Sequence, residues 1–291
     1  MGRNQGQIAE QPHFPGVGHE PGSEIHAAFM KQARPEGALI VNADDWGRNR
    51  QTTQPILDCL RKGSVSAVSA MVFMEDSERA AAVARESKVD AGLHLNLTAA
   101  FSGAAVPQAL ADRQGRIASY LLRHRLARVW FHPTLGGCFE YVVRAQLEEY
   151  ERLYGHSPQR IDGHHHMHLC ANVLVARLLP PETVARRNFS FQAGEKSWWN
   201  RYYRGMIDRN LARRHRLVDF LFSLAPLEPA SRLQHIFASA RHQSVELETH
   251  PVNPAEYEFL MQGEFERRLG DLHVASGFAL IGRAGPDQSR C

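Results

Sequence analysis

Short apolar runs alternate with amphipathic stretches along the middle of the chain. Residues 38–41 are all apolar and lead into the polar stretch 42–47, and a second, mostly apolar stretch covers 65–73. Between these runs, residues 50–62 show apolar positions at helical spacing, and Gly63 is a suitable stop for a helix. Short apolar runs with turn residues at their ends are typical of buried strands. The pattern therefore predicts a strand, a helix and a second strand.

The same order continues along the chain. Asp76 or Ser77 can cap a helix that runs to about residue 85, and a third strand is predicted over 89–95. In the preceding helix Pro55 is acceptable only in the first turn, because proline has no amide hydrogen to donate to the residue four positions earlier. Strands that alternate with helices in this way indicate a parallel sheet.

Later segments add further strands. Helical spacing recurs over 139–154, and a strand is predicted at 160–162. Residues 245–250 alternate between polar and apolar positions, as in a strand with one polar side. The residues on that polar side are Glu246, Glu248 and His250. One more strand is predicted over 278–281. With six to eight strand candidates between helices, we predict an α/β fold, a distorted β/α (TIM-like) barrel rather than an open doubly wound sheet.

The composition changes near residue 37. Residues 1–36 carry Gly, Pro, Gln and His without apolar periodicity, and we expect a flexible N-terminal extension there. Residues 37–291 form the predicted single barrel domain. Within this domain, the irregular stretch 98–119 is a candidate lid over a site, and the stretch 180–240 allows no firm assignment of elements.

The composition is that of a water-soluble globular protein. The 291 residues are 43% hydrophobic and 22% charged, with a net charge of +3 and a mean hydropathy of -0.38. We therefore exclude a membrane-embedded or wholly disordered chain, and we find no run of about 18 apolar residues that predicts a transmembrane segment. The near balance of charge also gives little support for nucleic-acid binding.

The cysteines indicate a reducing compartment. Cys59, Cys138, Cys170 and Cys291 are scattered, and their spacing suggests neither a zinc knuckle nor a dense disulfide framework. The first 36 residues also lack the apolar stretch of about 7–15 residues that a secretory signal requires. We therefore expect a cytoplasmic protein.

Histidine is the residue type that is unusually frequent in this chain. It occurs sixteen times, and four histidines lie within residues 164–168. That cluster, the pair Asp44 and Asp45, and His94 lie at or directly after predicted strands, and His250 ends a fourth strand. In α/β folds the carboxyl ends of the strands often carry the chemistry. The residues at these four strand ends are therefore candidates for one site.

A catalytic metal site needs about three protein ligands and an open position for water or substrate. Asp44 or Asp45, His94 and one histidine of the cluster 164–168 would provide these ligands from separate strands. The second carboxylate of the pair would stay free to take a proton from water, since a cation stabilises the charged form of the carboxylate that it binds. In the hydrolysis of an amide, His250 could protonate the departing nitrogen.

Each part of this set also has a purely structural explanation. An Asp pair after a strand is usually a turn or a helix cap, and His94 between Leu93 and Leu95 is usually a core histidine. A histidine run can be low-complexity sequence or can capture metal without specificity. However, chance would have to place all four parts at the ends of separate strands, which favours the functional interpretation.

Three segments of the sequence resemble those of a known enzyme family. Residues 41–47 (VNADDWG), 92–98 (GLHLNLT) and 162–168 (DGHHHMH), in this order, resemble the motifs of the YdjC/ChbG family of carbohydrate deacetylases, including its ChbG and HpnK types. The helix predicted before the third segment also resembles that of the family, and the likeness extends over residues 38–282. The resemblance implies a distorted β/α barrel that hydrolyses an N-acetyl group on an amino sugar with the help of a divalent metal.

The resemblance also implies roles for individual residues. It makes Asp45, His94 and His164 the metal ligands and Asp44 the general base. His250 becomes the general acid. Further polar residues of the motifs are implied as partners of the ligands or as contacts of the substrate, namely Asp162, His165, His166 and His168.

These roles imply one divalent metal ion as cofactor. Oxygen and imidazole ligands are compatible with Mg²⁺ or Zn²⁺, and Mn²⁺ and Co²⁺ are alternatives. The implied substrate is an N-acetylated sugar, free or within an oligosaccharide or glycolipid, and assembly as a homodimer stays open. Two rival functions are a barrel metallohydrolase that cleaves another amide or a phosphoester, and a catalytically inactive carbohydrate-binding homologue.

An aromatic and basic patch at residues 198–204 stands apart from these motifs. It could stack on sugar rings or contact a lipid-linked substrate, and Arg201 and Arg204 suit a charged partner. The alternative is a half-buried helix or loop that packs on the barrel. We expect this second arrangement.

Overall fold

The computed structural model describes residues 1–2, 37–123, 126–191 and 195–281. The predicted N-terminal extension, residues 1–36, therefore lies almost entirely outside the described residues. Within them, seven β-strands and nine α-helices follow one another along the chain. None of the helices in this described part is long and apolar enough to cross a membrane.

All seven strands lie parallel in one sheet. Their bounds are β1 Ala38–Trp46, β2 Ala67–Ala70, β3 Asp90–Leu95, β4 Arg160–Gly163, β5 Val184–Ala185, β6 Phe220–Ser223 and β7 Ser244–Thr249. In space their order is β5-β4-β3-β2-β1-β7-β6, and every neighbouring pair is parallel. The longest pairing joins β1 to β7, from Ala38 opposite Ser244 to Ala43 opposite Thr249. The predicted parallel sheet is confirmed, and the carboxyl ends of its strands share one edge.

The sheet curls until its two edge strands are linked. The backbone N–H of Ala185 in β5 donates to the carbonyl of Arg216 at 3.0 Å, and the N–H of Arg216 donates to Thr183 at 3.0 Å. Farther along, the N–H of Ser190 donates to the carbonyl of Leu221 in β6 at 2.8 Å. These bonds join the edges through irregular chain rather than through a regular ladder. The fold is therefore a distorted TIM-like barrel, as predicted.

The helices connect successive strands. Their bounds are α1 Arg50–Lys62, α2 Ser77–Glu86, α3 Gln108–Arg123, α4 Gly136–Tyr154, α5 Ala171–Val175, α6 Trp198–Ala212, α7 Ala230–Ala240, α8 Pro254–Met261 and α9 Glu264–Leu269. Short 3-10 helices cover Pro133–Leu135, His164–Leu169 and Phe278–Leu280. The predictions for α1 and α2 are confirmed to within one residue, and Gly63 ends α1 with a left-handed φ of 83°.

Pro55 does not lie in the first turn of its helix, where the sequence predicts it. It lies in the second turn of α1 and not in the first. Its ring removes one hydrogen bond, the one to the carbonyl of Gln51, but the following residues remain helical. The start of the helix is well capped, because the side chain of Asn49 accepts a hydrogen bond from the N–H of Thr52 at 2.9 Å.

The irregular stretch 98–119 is shorter than predicted. Only residues 98–107 lack regular structure, and α3 occupies the rest. Glycines and small residues conceal the helical pattern in the sequence. The buried side of α3 nevertheless carries Leu110, Ile117 and Leu121, whose spacing of seven and four residues matches one side of a helix. The prediction that the whole stretch is irregular is therefore wrong, and its role as a lid stays a prediction.

The strand predicted at 278–281 is also wrong. The chain forms a 3-10 helix at Phe278–Leu280, and the N–H of Phe278 donates to the Asp90 carboxylate at 2.6 Å rather than to a neighbouring strand. The apolar residues of this segment fill the amino end of the barrel instead. The cluster that they complete consists of Ile40, Ala67, Val184, Val218, Phe278 and Ile281. We call it the apolar plug.

The interior of the barrel changes character along β1. Leu39 and Val41 belong to the large core cluster that packs against the helices, whereas Ile40, Asn42 and Asp44 alternate with them. From the amino end to the carboxyl end, the interior side of β1 thus goes from apolar to polar to charged.

The aromatic and basic patch 198–204 forms the first two turns of α6. Trp198 and Trp199 are 63% and 65% exposed. Arg204 is half-buried, and its Nε donates to the side chain of Asn200 at 2.8 Å. The expectation that this patch packs half-buried on the barrel is therefore wrong for its two tryptophans.

Candidate metal centre and catalytic site

Asp45, His94 and His164 meet at the carboxyl ends of β1, β3 and β4. Oδ1 of Asp45 lies 2.9 Å from Nδ1 of His164 and 3.4 Å from Nε2 of His94. One potential ligand atom from each residue falls within 4.8 Å of the others, and all three side chains are buried. A carboxylate and two imidazoles in this arrangement could hold a metal ion.

An irregularity at the end of β1 brings two consecutive carboxylates to one place. The pairing of β1 with β2 shifts between Ala43 and Trp46, and Asp45 has a left-handed φ of 67°. In a regular strand, Asp44 and Asp45 would point to opposite sides. Here both approach His94, whose Nε2 lies 3.4 Å from Asp45 and 3.9 Å from Asp44. Left-handed backbone is uncommon for residues other than glycine and is found preferentially at functional sites.

Asp162 fixes the orientation of His94. Its Oδ1 lies 2.6 Å from Nδ1 of His94, so the ring presents Nε2 to Asp45. The other oxygen of Asp162 accepts from Ser69 at 2.5 Å and from Arg160 at 2.7 Å. A carboxylate that holds the second nitrogen of a histidine in this way is typical of metal sites. In the structure, Asp162 therefore occupies the position of a partner of His94.

One buried oxygen of this group lacks a hydrogen-bond donor. Nδ1 of His164 lies 2.9 Å from Oδ1 of Asp45 but does not meet it in hydrogen-bond geometry, and no other described residue donates to this oxygen, whereas Oδ2 accepts from Arg48 at 3.0 Å. A buried carboxylate oxygen without a partner is costly. A cation beside Oδ1 would remove that cost, so the donor set fits a divalent metal ion.

Burial and neighbouring charges oppose each other in this group. Burial alone raises the pKa of the Asp45 carboxyl, but the adjacent His164 and His94 imidazoles outweigh burial and bring it far below its usual range. Burial alone lowers the pKa of His94, but the carboxylates of Asp44, Asp162 and Asp45 outweigh it and raise the pKa to about 10. The group thus attracts positive charge, which a bound cation would supply in place of the imidazole proton.

The histidine cluster divides into residues with different surroundings. The 3-10 helix His164–Leu169 is kinked at His165 and His166, whose φ values of 55° and 57° are left-handed. His165 is exposed, and its Nδ1 lies 3.1 Å from the hydroxyl of Thr98. Nε2 of His166 lies 3.3 Å from a carboxylate oxygen of Glu248. Both rings therefore lie on the open side of the site.

His168 lies behind the site. Its ring is fully buried, and Nε2 lies 2.9 Å from the backbone carbonyl of Arg186. Burial lowers the pKa of His168 to about 3, so the ring is neutral at physiological pH. A β-carbon on Gly163 would lie 2.9 Å from the backbone nitrogen of His168, so only glycine fits there. His168 therefore supports the chain that carries Arg186 rather than the metal group.

A buried arginine that the sequence motifs do not include lies at the centre of the barrel. Arg186 follows β5 and donates from Nη1 to Oδ2 and from Nη2 to Oδ1 of Asp44, both at 2.7 Å. It also donates to Glu246 at 2.8 Å and to Glu248 at 3.0 Å. Burial opposes its charge, but the surrounding carboxylates, Asp162 and Asp44 before the others, raise the pKa of Arg186 well above its usual value.

The sequence contains one signal that could have located this arginine. Arg186 lies in the stretch 180–240, and β5 before it has only two residues, so no local pattern marks it. However, the strand 245–250 carries two glutamates on one side. Two carboxylates inside a barrel require a buried cation, which Arg186 provides for Glu246 and Glu248.

Asp44 lies between the metal group and His250. Burial alone raises the pKa of Asp44, but the charge of Arg186 outweighs it and lowers the pKa below its usual value, so the carboxylate is ionised. Its oxygens come within 4.8 Å of potential ligand atoms of Glu248 and His250. Nε2 of His94 lies 3.9 Å from its Oδ2. An ionised carboxylate thus stands between two imidazoles.

His250 follows β7 and is partly exposed. Its backbone N–H donates to Oε2 of Glu256 at 2.9 Å, and the hydroxyl of Thr249 donates to the same oxygen at 2.7 Å. These bonds anchor the turn that places the imidazole beside Asp44 and Glu248. All five residues to which the resemblance assigns a ligand, base or acid role thus lie at one end of the barrel.

Fold and site together define a class of protein, a parallel β/α barrel with an Asp-His-His group of metal-binding type at its strand ends. Comparison with known sequences narrows this class. A family model described as "YdjC-like protein" matches residues 38–275, which include all seven strands. The chain belongs to the YdjC-like family, as the resemblance implies.

Curated relatives carry deacetylase names. A carbohydrate deacetylase of Clostridium beijerinckii is 26% identical over 218 residues, which cover 73% of this chain and 80% of the relative. A carbohydrate deacetylase of Danio rerio is 32% identical over 48% of this chain and 45% of the relative. A chitooligosaccharide deacetylase of Klebsiella pneumoniae is 28% identical over 52% of this chain and 59% of the relative. This chain thus spans about half the length of the last two relatives.

A solved structure shares the fold. It is the crystal structure of an Enterococcus faecalis V583 protein described as a candidate cellobiose-phosphate cleavage protein, and its TM-score is 0.57. The superposition covers 82% of this chain and 97% of the other, at 17% sequence identity. This likeness supports the barrel fold alone.

Proposed function

We propose that this chain is a metal-dependent hydrolase that removes an N-acetyl group from a carbohydrate containing an amino sugar. The observation that carries the proposal is the position of Asp44 between His250 and the group formed by Asp45, His94 and His164. A ligand set, a base and an acid within one small volume are what metal-assisted amide hydrolysis requires. The names of the relatives support the kind of bond and substrate.

In this proposal Asp45, His94 and His164 hold one divalent cation. Two imidazole nitrogens among the ligands favour Zn²⁺ over Mg²⁺, which prefers oxygen ligands, and Mn²⁺ and Co²⁺ also suit this set. When bound, the cation would polarise the acetyl carbonyl and make a nearby water more acidic. Asp162 keeps Nε2 of His94 directed towards the cation position through its 2.6 Å contact with Nδ1.

Asp44 takes the proton of the attacking water. Arg186 keeps this carboxylate ionised and in one orientation, because both of its oxygens accept from the guanidinium at 2.7 Å. As Asp44 removes the proton, the water oxygen forms a bond to the acetyl carbon. His250 donates a proton to the nitrogen as the carbon–nitrogen bond breaks, which releases acetate and a free amine.

The remaining polar residues of the motifs have supporting roles in this proposal. His165 and His166 line a cavity at the open side of the site, where they can contact the sugar. Asp162 and His168 are buried, so they act through the residues that they bind.

We further propose that residues 37–291 form the deacetylase domain and that it works in the cytoplasm. The family match over 38–275 supports the bounds of the domain. Cys59, Cys138 and Cys170 are buried free thiols, which suits a reducing compartment. Assembly as a homodimer stays a prediction.

Acetate release from a soluble oligosaccharide of N-acetylglucosamine tests the proposed activity. We expect the protein loaded with Zn²⁺ to release one acetate for each amine that forms. His94→Ala removes a ligand and should lose both bound metal, measured by mass spectrometry, and activity. Arg144→Ala changes an exposed position on α4 and is the matched control that should keep both. A protein with one bound metal ion that releases no acetate from a panel of N-acetylated sugars would contradict the proposal.

A further inference from the structure

Exposed apolar side chains are concentrated in two short segments of the described chain, residues 122–123 with 126–131, and α6. Among the described residues, only Met1, Val175 and Val252 are large, apolar and exposed outside these segments. The exposed apolar residues within them are Leu122, Leu126, Val129, Trp130, Phe131, Trp198, Trp199, Tyr202, Tyr203 and Met206. We call the two segments together the apolar face. Large contiguous patches of this kind on a protein usually mark a site of interaction.

The exposed apolar residues of α6 form one side of the helix. Successive helical residues turn by about 100°, which places Trp198, Tyr202 and Met206 on one side with Trp199 next to them. The two indole rings stack at a centroid distance of 3.7 Å. The other side of the helix is buried at Asp208 and Leu211. The helix therefore turns its aromatic side to the outside.

The apolar face is also basic. The sequence contains no acidic residue between positions 113 and 139. The exposed arginines on or directly after the two segments are Arg123, Arg128, Arg201, Arg209 and Arg213. Within the described part of the chain, none of these arginines forms an ion pair with a carboxylate, and the one acid of α6, Asp208, pairs with Arg187 instead. The face thus carries uncompensated positive charge.

The apolar face borders the opening of the candidate active site. A cavity of about 360 Å³ lies between its two segments, and Arg128 lines it from the first segment and Tyr203 and Arg204 from the second. His165 and His166 of the histidine cluster line the same cavity. The apolar face and the candidate site therefore open on the same side of the barrel.

We propose that the apolar face binds the surface of a lipid bilayer that contains anionic phospholipids. Tryptophan and tyrosine side chains favour the boundary between headgroups and acyl chains, and arginines beside them attract anionic headgroups. Both residue types lie along the 15 residues of α6. The helix would lie in the plane of the bilayer surface, with its aromatic side inserted and its buried side on the protein.

A second copy of this chain fits the same surface less well. In a symmetric dimer a patch meets its own copy, so the arginines of one protomer would face those of the other. The face offers few carboxylates to compensate them, since positions 113–139 have none and Asp208 is engaged with Arg187. Anionic headgroups supply negative charge to all of these arginines at once. The charge pattern thus favours a lipid surface.

Binding of the full-length chain to lipid vesicles tests this proposal. We expect it to sediment with vesicles of mixed phosphatidylcholine and phosphatidylglycerol, and more weakly with phosphatidylcholine alone or at high salt. Tryptophan fluorescence should shift to shorter wavelength on binding. Trp130, Trp198 and Trp199 are exposed, whereas Trp46 is buried, so the change reports on the apolar face.

Two double variants separate the apolar from the electrostatic contribution. Trp198→Ala with Trp199→Ala should lower the partition coefficient by about tenfold or more, because two indoles no longer leave water. Arg209→Gln with Arg213→Gln should lower it by about fivefold per arginine on anionic vesicles and leave binding to neutral vesicles unchanged.

Exposed arginines at the other end of the barrel provide the matched control. Arg61 and Arg241 lie shortly before β2 and β7, and changing both to Gln should leave vesicle binding unchanged. The proposal is wrong if the wild-type chain binds no vesicles, or if the tryptophan variant binds as well as the wild type. It is also wrong if the tryptophan variant only abolishes a dimer seen by sedimentation, since the face would then join two copies. Acetate release from a soluble oligosaccharide, measured in parallel, should stay unchanged, which separates this test from that of the proposed activity.

Discussion

The two ends of the barrel interior differ in residue composition: one end is apolar and the other is charged. At the amino end of the strands, Ile40, Val184, Phe278 and Ile281 belong to the apolar plug. At the carboxyl end, four buried carboxylates surround Arg186. Apolar side chains normally fill the interior of such barrels, so the fold itself does not require the charged end. The comparison indicates that one end stabilises the barrel, whereas the other places reactive groups at a cost in stability.

The charged groups at the carboxyl end of the barrel stabilise one another. Arg186 lies 2.7 Å from Asp44, 2.7 Å from Glu246 and 3.0 Å from Glu248. Each of these groups loses hydration on burial, and only a complete network restores that loss. The pKa of Glu246 is raised by burial even though Arg186 lies beside it, which shows how strongly burial opposes charge here. Loss of one member should therefore affect all the others.

Removal of the central cation should have the largest effect. We expect Arg186→Met to lower the free energy of unfolding by about 3–5 kcal/mol, because buried carboxylates would remain without a partner. Urea unfolding followed by circular dichroism measures this change. Arg186→Lys keeps the charge and should fold, but it cannot form the paired bonds to Asp44 and should lose most of the activity. Wild-type stability in the Met variant would show that the network is not held together by this charge.

Asp44→Asn should affect catalysis more than stability. The amide can still accept one hydrogen bond from Arg186 but cannot take a proton, so kcat should fall by about 10²–10⁴-fold. Bound metal should stay at the wild-type level, because Asp45 and not Asp44 lies nearest to both imidazoles. Glu246→Gln alters the same network farther from His250 and is the matched control that should keep more activity. Loss of metal in the Asn variant, or retention of its activity, would rule out a role as base.

The carboxyl end of the barrel was predictable wherever its residues follow strands in contiguous motifs. Asp44 or Asp45, His94 and one histidine of the cluster 164–168 could be selected because parallel strands bring their ends to one edge. Only the resemblance to the family singled out Asp45 and His164 among them. Arg186 could not be selected in the same way, because its strand has two residues and the surrounding sequence has no clear period. Asp44 and Asp45 approach the same place because the pairing of β1 with β2 is irregular, and no sequence pattern predicts that irregularity.

The amino end was less predictable, since an apolar run does not reveal what it packs against. Residues 278–281 have the composition of a strand, but the chain forms a 3-10 helix there, and Phe278 and Ile281 pack into the apolar plug. The same limit applies to Trp198 and Trp199, whose exposure is decided by the packing of α6 rather than by their own polarity. Helices with a clear apolar period, such as α1 and α4, were predicted almost to their ends.

The free energy of unfolding should depend on pH through the buried ring of His168, which lies behind the charged end. Burial lowers the pKa of His168 to about 3, whereas an unfolded histidine titrates near 6.5. Between these values the unfolded chain binds a proton that the folded chain does not, so the contribution of His168 to stability is lost as pH falls. By pH 5 the loss should reach about 2 kcal/mol. Unfolding of His168→Gln at pH 7 and pH 5 serves as the comparison, and an equal pH dependence in both proteins would contradict the burial of a neutral ring.

The apolar plug should give the smallest response, and only in stability. Ile40→Val removes one methylene group from a fully buried position, so the free energy of unfolding should fall by about 0.5–1.5 kcal/mol. Bound metal and kcat should stay unchanged, because Asn42 separates Ile40 from Asp44 along the interior side of β1. Ile56→Val on α1 makes the same change outside the barrel and should give a similar loss. A change of kcat in the Ile40 variant but not in the Ile56 variant would show that the plug also positions the charged end, and the two ends could then no longer be treated as separate.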